Sequence, residues 1–437
     1  MKKTIFLALF FISNVVFGQD VLSFNDCLDL AFKNNLQLKS AFNSEKIAKY
    51  QYTASYGKLL PNFFGSVDNR NSWGREVDPN SNLFVNTDIK NYQGFINANY
   101  NLFAGFSALN YIRLNKQEVK INGENIKRVQ NMLAINLAEK FITILYLQEI
   151  IAANQEQIKS SEKQLELALL KFNAGSIAES EVFKIKSQKA TEELNLLTNQ
   201  NRLTDNLVNI KILMNIPLER EIVLIKPIMK LDSNISIDQN PYEIIDKAIL
   251  ANPSYKLSLY REKKARAALA IARASKYPIL SMRAQYGANY TNTDEDFDFN
   301  DQLKNNEVNI LRFNLIIPIF GQMDNYSKSK TSKMLYRQSK VDTQITKNEL
   351  SKEVMKAITD TKTSMKKTEA SSIAYEFSEK SFQADALKFE LGKININELN
   401  VTKATYINSQ AQLIQSKYEL LYNNALIKFY LGEAFSL

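Results

Sequence analysis

Thirteen residues, LKFNAGSIAESEV (170–182), return 217 positions later as LKFELGKININEL (387–399), which lays Gly175 over Gly392. The same offset, without a gap, lays Ala31 in LAFKNNLQLK (30–39) over Ala248 in KAILANPSYK (247–256). It also lays Pro61 in KLLPNF (58–63) over Pro278 in KYPILS (276–281), and Phe103 in YNLFAG (100–105) over Phe320 in IPIFGQ (317–322). Four landmarks at one constant offset identify a duplication, and each half therefore carries the same order of elements.

Around the quoted turns the chain is nearly free of breakers. Residues 322–391 contain neither Gly nor Pro, and another 39 residues separate Gly392 from Gly432. The first half runs likewise from 106 to 174, interrupted by Gly123 alone, and from 176 to 216. Gly and Pro together number 20 of 437 residues, well under the usual share, so helix dominates. Seventy helical residues make a rod of about 105 Å. Apolar residues recur thinly along it, as in Val341, Ile345, Leu350, Val354, Ile358 and Met365, diluted by Ser, Thr, Asn and Gln. Such a seam fits coiled-coil packing in a sheet or tube of helices. Shorter helices near 24–34, 36–58, 242–251 and 254–275 precede the two proline landmarks.

Past each proline the period changes from 3.6 to 2. In ILSMRAQYGANY (279–290), Leu280, Met282, Ala284, Tyr286, Ala288 and Tyr290 share one face, with Ser281, Arg283, Gln285 and Asn289 opposite. In VNILRFNLII (308–317), Leu311, Phe313, Leu315 and Ile317 oppose Arg312 and Asn314, and in the first half Ile96, Ala98, Tyr100 and Leu102 oppose Asn97, Asn99 and Asn101. Each half thus holds a strand pair, near 62–70 and 92–103 and near 279–290 and 307–318. The links NSWGREVDPNSNLFVNTDIKN (71–91) and TNTDEDFDFNDQLKNN (291–306) read as solvated loops.

The chain begins with Lys2 and Lys3, an apolar run IFLALFFISNVVF (5–17), and small residues at Val16 and Gly18. That is the pattern of a cleaved signal peptide over 1–18. The run is too short to span a bilayer. Composition closes off most site chemistry. With no His and a single Cys27, a Ser-His-Asp triad, a Cys-His pair, a His-ligated metal and a disulfide framework are all absent; an enzyme built on carboxylates, Lys or Ser/Lys is the poorer reading, and the expectation is no enzyme, without cofactor or metal. Without Lys2 and Lys3, 53 basic residues face 46 acidic ones; this balance is too mild and too evenly mixed to imply nucleic acid.

Strands with one greasy face fit a barrel wall, with lipid outside and water or polar residues within. Four strands cannot close, and open edges in hydrocarbon leave backbone groups unpaired. Several copies must pool their strands, and by cyclic symmetry the pooled barrel continues as a ring of paired helices. The expected organisation is a leader over 1–18, a first repeat over 19–220 turning at 175, a connecting belt over 221–240, and a second repeat over 241–437 turning at 392.

This duplicated order, with KLLPNF and KYPILS before the strands, YNLFAG and IPIFGQ after them, and KFNAG and KFELG at the helix turns, resembles the TolC-like outer-membrane efflux proteins. The resemblance covers essentially the whole mature chain. It implies a mainly α fold with a membrane β-barrel part: a homotrimer with a twelve-stranded barrel in the outer-membrane lipid and a periplasmic tunnel of helices about 100 Å long. It implies as partners a periplasmic adaptor and an inner-membrane pump, RND-type or ABC-type, for which this chain is the passive exit duct. The alternatives are the outer-membrane component of a type I protein secretion system and a non-transporting periplasmic coiled-coil scaffold. The hairpin turns are where the family meets its adaptor, which carries that role to Lys171, Phe172, Ala174 and Gly175 and to Lys388, Phe389, Leu391 and Gly392. Gly175 and Gly392 also read as helix caps. Six residues past each turn glycine stand Glu181 and Glu398, where the family's acidic aperture lies. A second acid and a base often found there are replaced by Val401 and Ile394. Pro61 and Pro278 mark the helix-to-strand junctions, which stay fixed while the hairpins move.

Overall fold

A computed structural model describes residues 20–78, 81–227, 240–294 and 296–437; the expected leader and most of the expected belt lie outside these residues. In chain order the elements are β1 (Asp20–Leu22), α1 (Phe24–Asn34), α2 (Leu36–Gly57), β2 (Asn62–Ser72), β3 (Arg75–Val77), β4 (Phe84–Asn86), β5 (Ile89–Ala104), α3 (Ser107–Asn173) and α4 (Glu179–Met214). There follow β6 (Ile222–Leu224), α5 (Pro241–Ala251), α6 (Pro253–Ala274), β7 (Ile279–Thr291), α7 (Phe299–Asn305), β8 (Glu307–Ile316), α8 (Asp324–Glu390) and α9 (Ile396–Tyr430). The duplication is exact in the helices: α1, α2, α3 and α4 begin 217 residues before α5, α6, α8 and α9. Helices α3 and α8 each run 67 residues, about 100 Å at 1.5 Å per residue. No helix among the described residues is long and apolar enough to cross a membrane.

The chain divides into two compact units. One takes the chain up to Ser40, Ile126–Asn252 and Asn348–Leu437; the other takes Ala41–Asn125 and Pro253–Lys347. The second unit contains an antiparallel four-stranded sheet in the order β2-β5-β7-β8, so the strand pair of one repeat lies beside that of the other, joined through β5 and β7, with β2 and β8 at the edges. Residues paired across neighbouring strands share a face, and the register sorts several rows by polarity. Phe63, Ala98, Ala284 and Leu311 form one row, and Tyr100, Met282 and Phe313 another. On the opposite face the rows are Asn62, Asn99, Arg283 and Arg312, then Asp68, Gln93 and Asn289. The apolar face is bare in the single chain, with Val67 85% exposed and Phe63, Ile96, Leu311 and Phe313 exposed beside it. Tyr92 and Tyr290 pair near its loop end with ring centroids 5.9 Å apart. Phe103 and Phe106 meet edge to face at its helix end. Aromatic girdles at both ends of an apolar band are the pattern of a membrane wall.

Three readings from the sequence are refined. The links between the strands are not plain loops. Residues 71–91 contain the β3–β4 hairpin, and 291–306 contain α7, because buried polar side chains supply the backbone with partners. Gln302 accepts from Thr291 N–H at 2.9 Å and donates to the carbonyls of Thr291, Asp294 and Phe297. Strand β8 stops at Ile316, so Ile317 does not continue its apolar face; Pro318 behind it has no N–H for the ladder. The thin seam of α8 is likewise divided, since Leu350, Val354 and Ile358 are buried while Val341 and Ile345 are exposed in the single chain.

In the first unit a hydrophobic core gathers α1, the middle of α3 and the ends of α4 and α9 around Phe141, Leu137, Ile144 and Met214. Ser23 opens α1 with a capping box to Asp26. Phe24 then packs edge to face on Phe141 and against Phe435, which seals the end of the chain into the same core. Strand β1 pairs in parallel with β6, tying the start of the chain to the segment between the repeats. Cys27 is fully buried there, and burial pushes its thiol up to about 12. Along α8 and α9 the contacts are polar: Thr368 donates to the Ser416 carbonyl at 3.0 Å, and Lys367 pairs with Glu419 at 2.7 Å.

Among the glycines of the sheet the most tightly packed is Gly287, where an added Cβ would collide with the Gly94 carbonyl and the Phe95 ring. Gly287→Ala is expected to destabilise the sheet by about 1–3 kcal/mol, the usual cost of overpacking. Urea unfolding read by fluorescence of Trp73, the chain's one tryptophan, just past β2, measures it; an unchanged midpoint refutes the close packing.

Candidate functional site: the paired hairpin turns

Helices α3 and α8 end in the same motif. Gly175 has φ +72° and Gly392 φ +71°, the left-handed region that glycine enters without penalty. Gly175 N–H bonds the Phe172 carbonyl at 2.8 Å, and Ser176 N–H reaches back to the Lys171 carbonyl at 2.8 Å. Gly392 and Lys393 make the same two bonds to Phe389 and Lys388, at 3.0 and 2.8 Å. These are paired Schellman caps, which satisfy the last carbonyls of each helix and turn the chain. Helix α9 then starts on Asn395, whose side chain accepts from the N–H groups of Asn397 and Glu398. Helix α4 starts on Ala178, which offers no such cap.

The structure brings the two turns together. Ala168, Val182, Ile185, Phe389, Ile396 and Leu399 form a small buried cluster drawn from all four helices. Lys171 crosses from the first turn to the second, donating to the carbonyls of Phe389 at 2.7 Å and Glu390 at 3.1 Å, with its ammonium 4.9 Å from the Phe389 ring centroid. A cation at a helix C-terminus is favoured by the exposed carbonyls and the helix dipole. Its counterpart 217 residues on, Lys388, pairs instead with Asp385 on its own helix at 2.9 Å. Phe389 is 3% exposed and belongs to the cluster, whereas Leu391 is 62% exposed, and Phe172, Ala174, Gly175 and Gly392 also lie on the surface.

Glu181 and Glu398 lie in the first turns of α4 and α9. Glu181 is half-buried, and Glu398 is exposed with its carboxylate accepting from Asn395 Nδ2 at 2.7 Å. Ile394, at the family's basic position, packs on the buried cluster, and Val401 is exposed. Pro61 and Pro278 belong to the other compact unit, each immediately before its strand.

Sequence reasoning missed what lies beside the turns. Ser161, Glu192 and Lys403 are 0, 3 and 2% exposed and bonded to one another. Lys403 Nζ pairs with Glu192 Oε1 at 2.8 Å and donates to Ser161 Oγ at 2.5 Å, Ser161 donates to Glu192 Oε2 at 2.5 Å, and Gln188 donates to Glu192 Oε1 at 3.0 Å. The duplicated position of Ser161 and Glu192 is Ser378 and Ser409, two hydroxyls hydrogen-bonded to each other. One half therefore carries a charge where the other carries a hydroxyl, and the second half supplies the counter-ion. A signal was present in the sequence: Val182, Ile185 and Glu192 step by three and seven, and Ile396, Leu399 and Lys403 by three and four, along one helix face, placing a charge on each apolar seam. Farther along, Asn199, Asn154, Gln157 and Gln410 form a hydrogen-bonded chain joining α4, α3 and α9. Glu149 accepts from Lys226 and Tyr418; burial alone raises its carboxyl, and those two bonds bring it below its ordinary value.

A sheet with one apolar face, together with a pair of long helical hairpins, defines a channel-forming envelope protein. The profile of the outer membrane efflux protein family matches residues 27–215 and 244–433, one match per repeat, and the chain belongs to that family. No curated protein sequence matches it. Its fold is that of solved channels at low identity. The CmeC outer membrane channel of Campylobacter jejuni superposes with a TM-score of 0.83 at 17% identity, covering 94% of this chain and 86% of that one. For the outer membrane protein VceC of Vibrio cholerae the values are 0.80, 14%, 94% and 97%, and for the open state of the Neisseria gonorrhoeae MtrE channel 0.72, 15%, 93% and 88%. The protein is an outer-membrane efflux duct.

Breaking the buried triad from one side leaves an unpaired charge, at a cost of about 3–5 kcal/mol. Glu192→Leu is expected to lower the urea midpoint of the helical signal accordingly, and Glu192→Leu with Lys403→Met to restore most of it. A double variant as unstable as the single one shows that the pair is not coupled.

Proposed function

We propose that three copies of this chain assemble into one duct that conducts substrates passively from a periplasmic adaptor and an inner-membrane pump to the exterior. The observation that carries this reading is the four-stranded sheet with one bare apolar face and two unpaired edges. Its strands alternate in direction, so β8 of one copy is antiparallel to β2 of the next, and three sheets give twelve strands. The strands have 11, 16, 13 and 10 residues, enough to cross hydrocarbon at a tilt of about 45°. The exposed Val341 and Ile345 of α8 fit contacts with a second copy.

In this reading 19–220 and 241–437 act as the two repeats, with 221–240 as the connecting belt. The turns meet the adaptor through Phe172, Ala174, Gly175, Leu391 and Gly392, with Lys388 at their border. Lys171 and Phe389 act from inside, holding the two turns as one surface. Glu181 and Glu398 line the narrow mouth, where three copies of each favour cations. Adaptor binding shifts the hairpins toward an open population by contacts made better in that state, while Pro61 and Pro278 stay fixed. No bond is made or broken and no cofactor takes part.

Photo-crosslinking in cells from a probe at Leu391 is expected to trap a periplasmic adaptor, and the pump bound to that adaptor, RND-type or ABC-type, separates small-molecule efflux from protein secretion. An incorporated probe in membrane-inserted protein that traps nothing removes the tip from the docking surface. In planar bilayers, block of the current by a trivalent cation on the hairpin side is expected to weaken about tenfold in Glu398→Ala, and unaltered block removes Glu398 from the mouth.

A further inference from the structure

The polar face of the sheet carries an unbalanced charge. Asn62, Asn99, Arg283 and Arg312 are successive partners across its four strands, so the two arginines stand directly opposite each other on one face. Like charges in that position repel. Asn99 Oδ1 accepts from Arg283 Nε–H at 2.9 Å and orients that guanidinium. Both arginines are exposed, and neither has an ion-pair partner among the described residues. The rows toward the loops offer little compensation: Phe64, Asn97, Gln285 and Ile310, then Ser66, Phe95, Gly287 and Val308, are uncharged. The one carboxylate on this face of the strands, Asp68, is six residues along β2 from Asn62, about 20 Å away. Arg70, beyond it, is already paired with Glu76.

We propose that Arg283 and Arg312 form a cationic belt inside the assembled barrel that binds and passes anionic cargo, molecules bearing a carboxylate, sulfate or phosphate group. The inference rests on the three-copy duct reading, in which the polar face lines the lumen. Twelve strands about 4.8 Å apart, tilted about 40°, close at a backbone radius of about 12 Å. Six arginines at one level then face a passage narrow enough for long side chains to meet a solute from several sides. The guanidinium fork matches carboxylate and phosphate oxygens, and a ring of one charge sign between low-dielectric walls concentrates ions of the other. The repulsion between Arg283 and Arg312 is relieved when an anion lies between them. The belt also differs in sign from the acidic mouth at Glu181 and Glu398, so the two constrictions act on different parts of a cargo molecule.

The full-length protein, added to one side of a planar bilayer so that its outer loops face the other, is titrated from the loop side with hexacyanoferrate(II). Wild type is expected to show block of the current that weakens as KCl rises from 0.1 to 0.5 M, roughly as screening shortens. Arg283→Gln with Arg312→Gln is expected to weaken the block at least tenfold, and Arg283→Lys with Arg312→Lys to retain most of it. Equal block in wild type and the glutamine variant, or a conducting wild type with no block, overturns the belt and leaves the duct standing. Wild type that inserts and carries no current removes the duct reading itself. Because both side chains are exposed and make no ion pair among the described residues, circular dichroism of the variants is expected to match wild type.

Discussion

The outward edges of β2 and β8 are rows of backbone N–H and C=O groups that one chain leaves without partners. In water such edges are tolerable; beside an apolar face meant for lipid they are not, because hydrocarbon offers nothing to bond them. The sheet therefore fixes the terms for the rest of the molecule. Its apolar rows need lipid, its edges need further strands, and its polar rows need an aqueous interior. Joining the two strand pairs through β5 and β7 in the order β2-β5-β7-β8 gives each repeat one edge strand and one central strand, so the duplicated sequence yields a sheet whose ends can meet.

The helices answer a different constraint. Rods of 67 residues cannot stand on helix propensity alone and need neighbours throughout. A dense apolar core forms where α1 and the chain end close over Phe141 and its neighbours, and a smaller cluster at the hairpin turns. Elsewhere hydroxyl, amide and ion-pair contacts between helices replace it, as at Thr368 with Ser416 and Lys367 with Glu419. Polar seams hold register through directional bonds with less buried apolar area than a filled bundle has.

Two repeats with the same elements are not chemically equivalent. Lys171 crosses to the other turn, while Lys388 stays on its own helix. Glu192 takes a charge from the second repeat, where Ser409 needs only Ser378. Both of these departures lie at contacts between the halves. There the divergence of two copies lets them recognise each other instead of themselves.

The sequence by itself determined the duplication, the order of elements, the two-faced strands and the glycine turns, because each depends on local period or on backbone freedom at one residue. Gly175 and Gly392 were legible since only φ near +70° ends both rods alike. The tertiary structure decided what depends on pairing across the chain. That includes the joining of the two halves' strand pairs through β5 and β7, the burial of Phe389 behind an exposed Leu391, the α7 and β3–β4 elements within the links, and the meeting of Glu192 with Lys403 across 211 residues. A seam position in one helix says that a charge will be buried; which partner makes that burial tolerable is set by how the helices dock.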